Sequence, residues 1–250
     1  MRTKHRADQL LVERGLAESR SRAQALILAG LVFAGERRID KAGEPLADDA
    51  AVEVRGRDHP WVSRGGVKLA HALDHFEIDP NGWVALDIGA STGGFTDVLL
   101  TRGARRVYAV DVGHGQLAWK LRQDPRVVVC ERENARALSR ERIAESVDLV
   151  VCDASFIGLA TVLPAPLALA GERSALVALV KPQFEAGRAL VGKGGVVRDP
   201  AVHREVCERT AAWVAAQPGW MVIGVAESPI LGPEGNREFL LYARRSYAER

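Results

Sequence analysis

The chain has 250 residues, of which 47% are apolar, 26% are charged and 6% are aromatic. This ordinary globular composition excludes a collagen, a coiled coil and a wholly disordered chain, and the length allows one large domain or a medium domain with a small one. Because 34 basic residues nearly balance 32 acidic ones, for a formal charge of +2, any case for nucleic-acid binding must rest on local patterns.

Secretion, membrane insertion and metal binding all lack a sequence signal. No apolar run approaches the roughly 18–20 residues that a membrane-spanning helix needs, and the N-terminal residues have no apolar signal core. The three cysteines are widely spaced and odd in number, which is typical of reduced thiols rather than of a disulfide framework or a zinc site. His71 and His75 are four residues apart, but no HExxH motif accompanies them. We therefore expect a cytoplasmic protein with no metal and no membrane contact.

The first 60 residues predict a small α+β module. Residues 6–29 carry two short amphipathic helical patterns, the first ending at Gly15 and the second beginning at Ser19. Alternating stretches at 31–35 and 52–54 predict short strands. A module of about 55 residues has a very small core, and such modules usually bind a ligand rather than catalyse a reaction.

Arginines are placed at the starts of these helices. Arg6 precedes the first helix, and Arg20 and Arg22 open the second. The planar guanidinium group can bond two phosphate oxygens together, which favours RNA binding. From charge alone, a solvated surface explains these arginines equally well.

The pattern of this module resembles the S4 RNA-binding domain. It runs Arg6-x-Asp8-x-Leu10-Leu11-Val12, then Gly15-Leu16-x-x-Ser19-Arg20-Ser21-Arg22-x-x-Ala25, then Gly30-x-Val32-x-x-Gly35. The resemblance implies that the helix pair and its loops bind folded RNA, and it makes Arg6, Arg20 and Arg22 the candidate contacts. Ala34 stands where the family usually has Asn. S4 domains also occur in pseudouridine synthases and in a tRNA synthetase, so the module indicates a class of ligand and no chemistry.

A domain boundary is predicted at Asp58-His59-Pro60, where proline interrupts regular structure. The predicted limits are 1–59 for the small domain, 60–63 for a linker and 64–250 for a larger domain. Beyond the linker, Leu69, Leu73 and Phe76 are spaced for an amphipathic helix that ends near residue 77.

From residue 82 the chain alternates strand and helix patterns. The predicted strands are 82–88, 106–112, 126–131, 147–153, 174–181, 220–226 and 238–244, and the predicted helices are 93–103, 114–122, 136–145, 158–170 and 200–216. Several strands are continuous runs of Val, Ile and Leu, as expected for strands that are covered on both faces. We therefore predict a doubly wound α/β sheet with its ligand at the carboxyl ends of the strands.

The first of these strands runs into a glycine-rich loop, residues 87–95, which lets the backbone approach a ligand closely. Its spacing is not GxGxxG, so a diphosphate site for NAD or FAD is weakly supported. Asp111 ends the second strand, where a carboxylate can accept ribose hydroxyls, and Asn134 follows the third, where it could read an adenine edge. These features favour S-adenosylmethionine; a packing turn with a capping aspartate is the alternative. The candidate cofactor-binding residues are Asp87, Gly89, Ser91, Thr92, Gly93, Gly94, Phe95, Asp111, Asn134 and Asp153.

Four charged residues lie at the ends of elements of this sheet. Lys68 lies in the preceding helix, while Asp153, Lys181 and Glu238 lie at strand ends. A lone buried charge is costly, and two lysines can balance two carboxylates. The alternative is that each residue caps its own strand or forms an unrelated salt bridge.

The longer motifs resemble the TlyA family of S4-fused, FtsJ-like ribosomal RNA 2′-O-methyltransferases, also catalogued as hemolysin A. The matching segments are 63–69, 87–97, 152–157, 181–185 and 235–241. The resemblance implies a Rossmann-like, seven-stranded methyltransferase sheet whose last strand is antiparallel, with S-adenosylmethionine as cofactor. It also implies a Lys-Asp-Lys-Glu tetrad formed by Lys68, Asp153, Lys181 and Glu238, and cytidine 2′-hydroxyls of ribosomal RNA as methyl acceptors.

Such a reaction requires the acceptor hydroxyl to lose its proton. A lysine can take that proton when burial and a neighbouring cation disfavour its ammonium form. Lys181 is the candidate base, Lys68 the neighbouring cation, and the two carboxylates would orient them. Residues 185–200 are glycine-rich and basic, and they predict either a loop that closes over RNA or an ordinary surface loop. Arg64, Arg188 and Lys193 complete the candidate RNA contacts.

Three other functions are less well supported by the sequence. A cytolysin needs a membrane-active segment, which the sequence lacks. A non-catalytic RNA-binding protein would not need all four tetrad positions, and a nicotinamide dehydrogenase would need GxGxxG. We expect a monomer that acts on ribosomal RNA or ribosomal subunits.

Overall fold

The computed structural model describes residues 4–17, 19–28, 30–55 and 59–246. The chain forms two compact units, residues 1–60 and 61–250. Asp58, in the predicted boundary, lies outside the described residues, as do 247–250 at the end of the predicted larger domain. Each unit is described below by itself.

The smaller unit mixes short helices and strands around one apolar core. Its elements are β1 (Lys4–Arg6), α1 (Ala7–Glu13), α2 (Arg20–Leu28), β2 (Val32–Ala34), β3 (Arg37–Arg38), β4 (Pro45–Ala47) and β5 (Val52–Val54). β1 pairs with β4, and β2 lies between β3 and β5, in both cases antiparallel. Leu10 and Leu11 of α1 pack with Ile27 of α2 in the core. The predicted α+β module is confirmed.

The larger unit is built on one sheet with helices on both faces. Its elements are α3 (Gly65–His75), β6 (Val84–Ile88), α4 (Gly94–Thr101), β7 (Arg106–Asp111), α5 (Trp119–Arg122), β8 (Val127–Glu131), β9 (Val147–Cys152), α6 (Leu159–Val162), α7 (Pro164–Ala168), β10 (Ala170–Val180), α8 (Pro182–Glu185), α9 (Pro200–Ala215), β11 (Trp220–Glu227) and β12 (Phe239–Arg245). Among the described residues the sheet has seven strands, in the order β11-β12-β10-β9-β6-β7-β8. β12 is antiparallel to both of its neighbours, so the expected antiparallel last strand is confirmed.

The strand order explains the position of the candidate site. The chain proceeds outward from β6 through β7 to β8 and then crosses back to β9 on the other side of β6. The connections after β6 and β9 therefore leave a crevice at the carboxyl ends of these strands. Alternate residues of a strand pack into two apolar cores, one on each face of the sheet. Leu86, for example, packs on one face and Ala85 on the other. This two-sided burial accounts for the continuous apolar runs in the sequence.

The helix predicted over 136–145 is wrong. The structure has only a 3-10 turn, Ala135–Ala137, followed by turns. Arg140 donates to the carbonyl of Glu145 within the segment and to that of Leu169 outside it. These bonds fix an irregular path beside the sheet.

Three other boundaries also differ from the prediction. The helix predicted over 158–170 divides between Val162 and Pro164, because proline has no N–H to continue the first helix and is accepted at the start of the second. Strand β10 begins at Ala170, and the helix predicted over 114–122 is reduced to α5.

Candidate active site

A cavity of about 350 Å³ opens at the carboxyl ends of β6, β7 and β9. This volume lies in the range of small-molecule sites, and the position is the crevice expected from the strand order. Half of the candidate cofactor residues line it: Gly89, Ser91, Asp111, Asn134 and Asp153.

The loop after β6 approaches the end of β9 very closely. Gly89 has φ of +81°, and a Cβ at this position would lie 3.0 Å from the backbone of Ala154. Any larger residue would be strained and would push these two strand ends apart. Glycine is therefore required here by both its dihedral angle and the available space.

Asp111 joins the loop to the end of β7. One carboxylate oxygen accepts the N–H of Ser91 at 2.8 Å, and the other accepts the N–H of Gly113 at 2.6 Å. Each oxygen keeps a free lone pair. The carboxylate is thus held in place by the backbone and can still accept a hydroxyl group.

Asn134 has a local role as well as a place in the cavity wall. Its side-chain oxygen accepts the N–H of Arg136 at 3.1 Å and the Nε of the same residue at 3.3 Å, and so caps the 3-10 turn. Because the oxygen is occupied, the amide group is what Asn134 can offer to a ligand. It would act as a donor.

The other half of the candidate cofactor residues does not line the cavity: Asp87, Thr92, Gly93, Gly94 and Phe95. Gly93 has φ of +96°, and a Cβ there would meet Leu121 of α5 at 2.3 Å. Phe95 is only 3% exposed and packs in the apolar core. These residues hold α4 and α5 beside the cavity, and their contact with a cofactor stays a prediction.

Asp87 is a completely buried carboxyl group beneath the loop. Thr96 donates its hydroxyl to one oxygen at 2.6 Å, while the other oxygen has no hydrogen-bond partner among the described residues. Burial raises the pKa of Asp87 to about 7, and the nearby Asp153 and Asp111 act in the same direction.

Several lining residues were not found from the sequence. Gln116 and Glu133 add polar groups to the wall, and Phe156 lies at the cavity as an exposed ring, 90% accessible with φ of +65°. Its ring centroid is 5.1 Å from that of Phe184. Apolar residues normally indicate a core, so Phe156, four residues after the end of β9, was not a candidate site residue.

The four tetrad candidates come together beside this cavity. Lys68 Nζ lies 2.5 Å from Glu238 Oε2 and 3.9 Å from Asp153 Oδ2, while Lys181 Nζ lies 2.7 Å from Asp153 Oδ1. Lys68, Lys181 and Glu238 are each less than 9% exposed. Two cations and two anions therefore form one charge-balanced cluster, in which Asp153 contacts both lysines and also lines the cavity.

Lys181 is held by three acceptors. Besides the Asp153 carboxylate, its ammonium group bonds to the Asp153 backbone carbonyl at 3.2 Å and to the Ser155 hydroxyl at 2.9 Å. Gln183 contacts Glu238 at 3.5 Å. Neither Ser155 nor Gln183 was a sequence candidate, since neither is charged.

The candidate RNA contacts are five arginines and one lysine, divided between the two units. In the smaller unit, Arg6 and Arg20 bond to the same carboxylate, that of Asp8. In the larger unit, Arg64, Arg188 and Lys193 are exposed. Arg22 lies in the first turn of α2, where its N–H donates to Ser19 Oγ at 3.2 Å. These positions do not test RNA contact, which stays a prediction for all six residues.

Asn236, three residues before β12, bonds to the loop over 186–199. Asn236 accepts the N–H of Val197 at 3.1 Å and donates to the carbonyl of Gly195 at 3.0 Å. Arg188 lines an open depression beside Phe156 and Gln183. Arg188 therefore shares this depression with Gln183, which contacts the tetrad residue Glu238.

The described part of the chain shows neither a membrane-spanning helix nor a metal-binding cluster. None of its helices has the length and apolarity needed to cross a membrane. It also contains no group of three or more His, Cys, Asp or Glu residues arranged to hold a metal ion.

The sheet order, the antiparallel last strand and the cavity at the switch point define a Rossmann-like methyltransferase. Comparison with known families supports this assignment: residues 61–245 match the FtsJ-like methyltransferases, and residues 6–52 match the S4 domain. The chain belongs to the FtsJ-like methyltransferase family, in the TlyA and hemolysin A group that carries an S4 domain.

Individual relatives extend over nearly the whole chain. The 16S/23S rRNA (cytidine-2′-O)-methyltransferase TlyA of Mycobacterium tuberculosis is 51% identical over 98% of this chain and 91% of its own length. The 23S rRNA (cytidine-2′-O)-methyltransferase TlyA of Campylobacter jejuni is 35% identical over 73% of this chain and 70% of its own. A solved structure from Streptococcus thermophilus that carries the name hemolysin has a TM-score of 0.79 and 43% identity, covering 99% of this chain and 90% of that one.

Proposed function

We propose that this protein transfers a methyl group from S-adenosylmethionine to cytidine ribose 2′-hydroxyls of ribosomal RNA, in the cytoplasm and as a monomer. Residues 1–59 form the RNA-binding domain, 60–63 the linker and 64–250 the catalytic domain. The observation that carries the proposal is the position of Asp153, which lines the cavity and contacts both lysines of the tetrad. One chain supplies the cavity and the tetrad.

The chemistry of the cavity fits S-adenosylmethionine. Its wall includes three carboxylates, Asp111, Glu133 and Asp153, and no lysine or arginine among the described lining residues. Such a wall favours a ligand with sulfonium and ammonium charges and disfavours the diphosphate of a nicotinamide dinucleotide. When bound, the cofactor supplies an electrophilic methyl group. Gly89, Ser91, Asp111 and Asn134 would hold its nucleoside part.

The tetrad prepares the acceptor hydroxyl. Of the three acceptors on Lys181, Ser155 is a neutral hydroxyl, so the substrate hydroxyl can take its place without leaving a buried charge unpaired. Lys181, once its ammonium group has released a proton to solvent, accepts the hydroxyl proton as a neutral amine, and Lys68 supplies the second positive charge beside the developing alkoxide. Asp153 and Glu238 hold the two lysines in position.

The tetrad also separates this function from the alternatives. A non-catalytic RNA-binding protein gains nothing from burying two lysines with two carboxylates, because a buried ion pair seldom stabilises a fold better than apolar packing. A membrane-active hemolysin would act without Lys181. The three functions therefore predict different effects for a substitution of Lys181.

The test is transfer of labelled methyl from S-adenosylmethionine to purified small and large ribosomal subunits. Wild-type protein is expected to label ribose 2′-oxygens of cytidines, and Lys181→Ala is expected to abolish labelling while cofactor affinity, measured by calorimetry, stays nearly unchanged. Arg102→Ala, which removes an exposed cation of the same unit from a surface pair with Asp74, is the control and should retain transfer.

Two results would contradict the proposal. If wild-type protein binds the cofactor but labels neither subunit, the ribosomal substrate is wrong. If Lys181→Ala loses cofactor affinity and transfer to the same extent, Lys181 is structural and the catalytic role is wrong.

A further inference from the structure

The smaller unit contains a completely buried carboxylate, Asp8, in the first turn of α1. Arg6 bonds to both of its oxygens, through Nε at 3.0 Å and Nη2 at 3.1 Å. Arg20 Nη2 bonds to one of the same oxygens at 3.2 Å, and Gln24 Nε2 bonds to it at 2.9 Å. One buried group therefore receives four hydrogen bonds from three side chains.

The two arginines are buried only at the end that meets Asp8. Their side chains are 49% and 55% exposed, for Arg6 and Arg20 respectively. A guanidinium group has five N–H donors, and here each arginine uses at most two of them on the carboxylate. The remaining donors stay available to a second ligand.

Asp8 stays ionised because of these contacts. The Arg6 guanidinium, with help from Gln24 and Arg20, holds the pKa of the Asp8 carboxyl well below its usual range despite the burial. The cluster thus consists of one fixed anion and two cations, with a net charge of +1.

The neighbouring turn limits where the Arg6 guanidinium can lie. A Cβ placed on Gly43 would be 3.1 Å from Arg6 Nη1, so only glycine leaves the group its present position without a shift. The backbone of the same turn is bonded to α1, through Asp8 N–H to the carbonyl of Ala42 at 3.0 Å. The arginine therefore lies between a buried anion and a fixed turn.

We propose that Asp8 is a positioning residue for RNA: it holds Arg6 and Arg20 as a fixed pair of guanidinium groups that bind backbone phosphates. Binding a flexible side chain costs conformational entropy, and two arginines that are already ordered avoid most of that cost. The inference rests on the proposed function, because it assumes that the ligand of this unit is ribosomal RNA.

Simple electrostatics gives the opposite expectation, which makes the proposal testable. Replacing Asp8 by Asn removes a negative charge close to the RNA and should tighten binding if charge alone matters. If Asp8 acts by positioning, the same change should weaken binding, because the asparagine amide cannot accept both bonds from Arg6.

The experiment measures the affinity of the full chain for purified ribosomal subunits at several salt concentrations. Asp8→Asn is expected to weaken binding about 5- to 30-fold, as expected when two side chains must be ordered on binding, and to reduce the dependence on salt because fewer phosphates are contacted. Asp40→Asn is the matched control: it makes the same charge change in an exposed pair with Arg38 and should not weaken binding. Thermal unfolding and cofactor affinity report whether the variant is folded.

Gly43→Ala provides a second test that leaves every charge and Asp8 itself unchanged. The added methyl group should shift the Arg6 guanidinium by a few tenths of an ångström and so weaken binding, with little change in stability. In a chain that carries Arg6→Gln and Arg20→Gln, neither Asp8→Asn nor Gly43→Ala should have a further effect, because there is nothing left to position.

Unchanged or tighter binding by both folded variants would overturn the proposal. So would equal losses of affinity in the wild-type and the double-glutamine backgrounds, since this would show a structural role. These outcomes differ from failure of the proposed function, in which the wild-type chain itself would not bind the subunits.

Discussion

Each unit of the molecule contains a buried carboxylate bonded to cations, but the exposure of the cations is opposite. In the smaller unit Asp8 is buried while Arg6 and Arg20 reach solvent. In the larger unit Lys68, Lys181 and Glu238 are buried, and Asp153 is partly exposed at the cavity wall. Exposed cations can bind an extended polyanion, whereas buried cations can act only on a group that enters the cavity. In our two proposals, the same ion-pair chemistry serves recognition in one unit and catalysis in the other.

The type of cation matches this difference. Arginine keeps its charge at any accessible pH and presents a fork that fits phosphate, while lysine can exchange a proton. The surface cluster uses arginine, and the enclosed cluster uses lysine. Each variant below changes the type of one cation or removes the charge of one carboxyl group.

The largest effect is expected from Lys181→Arg, which places the cation of the surface cluster in the enclosed one. Charge is kept, but arginine cannot release its proton, so loss of general base catalysis should lower kcat by about 10²- to 10⁴-fold. Single-turnover transfer to ribosomal subunits measures the change. Near-normal kcat in this variant would show that position 181 supplies charge alone.

A third buried carboxyl group, Asp87, lacks the cations that distinguish the other two clusters, and this gives a stability prediction. Its pKa is raised to about 7 by burial, so the protonated form is favoured in the folded state. The protonated carboxyl group contributes fully to the free energy of unfolding below the ordinary pKa near 3.8. This contribution, about 4 kcal/mol, is lost as the pH rises through about 7. Asp87→Asn removes this dependence.

Urea unfolding of the wild-type chain and of Asp87→Asn at pH 5 and pH 8 measures this pH dependence of stability. The wild-type chain should lose more stability than Asp87→Asn between these two values, since all other titrating groups are shared. Parallel pH profiles for the two chains would show that Asp87 is already ionised at pH 5.

A smaller loss is expected from Glu238→Gln. Glutamine keeps the size and one acceptor but removes the charge that balances Lys68, so Lys68 should shift toward Asp153, its other carboxylate at 3.9 Å. We expect kcat to fall about 10- to 100-fold with little change in KM for the subunits, since the substrate-binding surface is untouched. A change in KM alone would place Glu238 in RNA binding.

Much of the larger unit could be predicted because its strands are covered on both faces. Runs such as 147–153 and 174–181 are apolar for that reason, and the residue that ends each run falls at the carboxyl edge where the site lies. The segment over 136–145 could not be predicted, because its path depends on Arg140 bonds to the carbonyls of Glu145 and Leu169 rather than on local periodicity.

In the candidate sites, too, some residues could be predicted from the sequence and others could not. The tetrad was predictable because three charges at strand ends and one in α3 need partners. Ser155 and Gln183 are neutral and became visible only through their distances to Lys181 and Glu238. Glycines of the cofactor loop were predicted to touch a ligand, yet Gly93 faces α5, since spacing along the chain does not say which side of a turn packs.

The smallest effect is expected from Arg6→Lys, which places the cation of the enclosed cluster on the surface. The charge is kept, but one ammonium group cannot bond to both oxygens of Asp8 as the guanidinium group does at 3.0 and 3.1 Å. The lysine should therefore be less ordered, and affinity for ribosomal subunits should fall about three- to fivefold, as expected when one side chain must be ordered on binding. Arg38→Lys, in the exposed pair with Asp40, should leave the affinity unchanged. If the two lysine variants bind equally well, charge alone governs recognition in the smaller unit, and the contrast between the two clusters is only one of exposure.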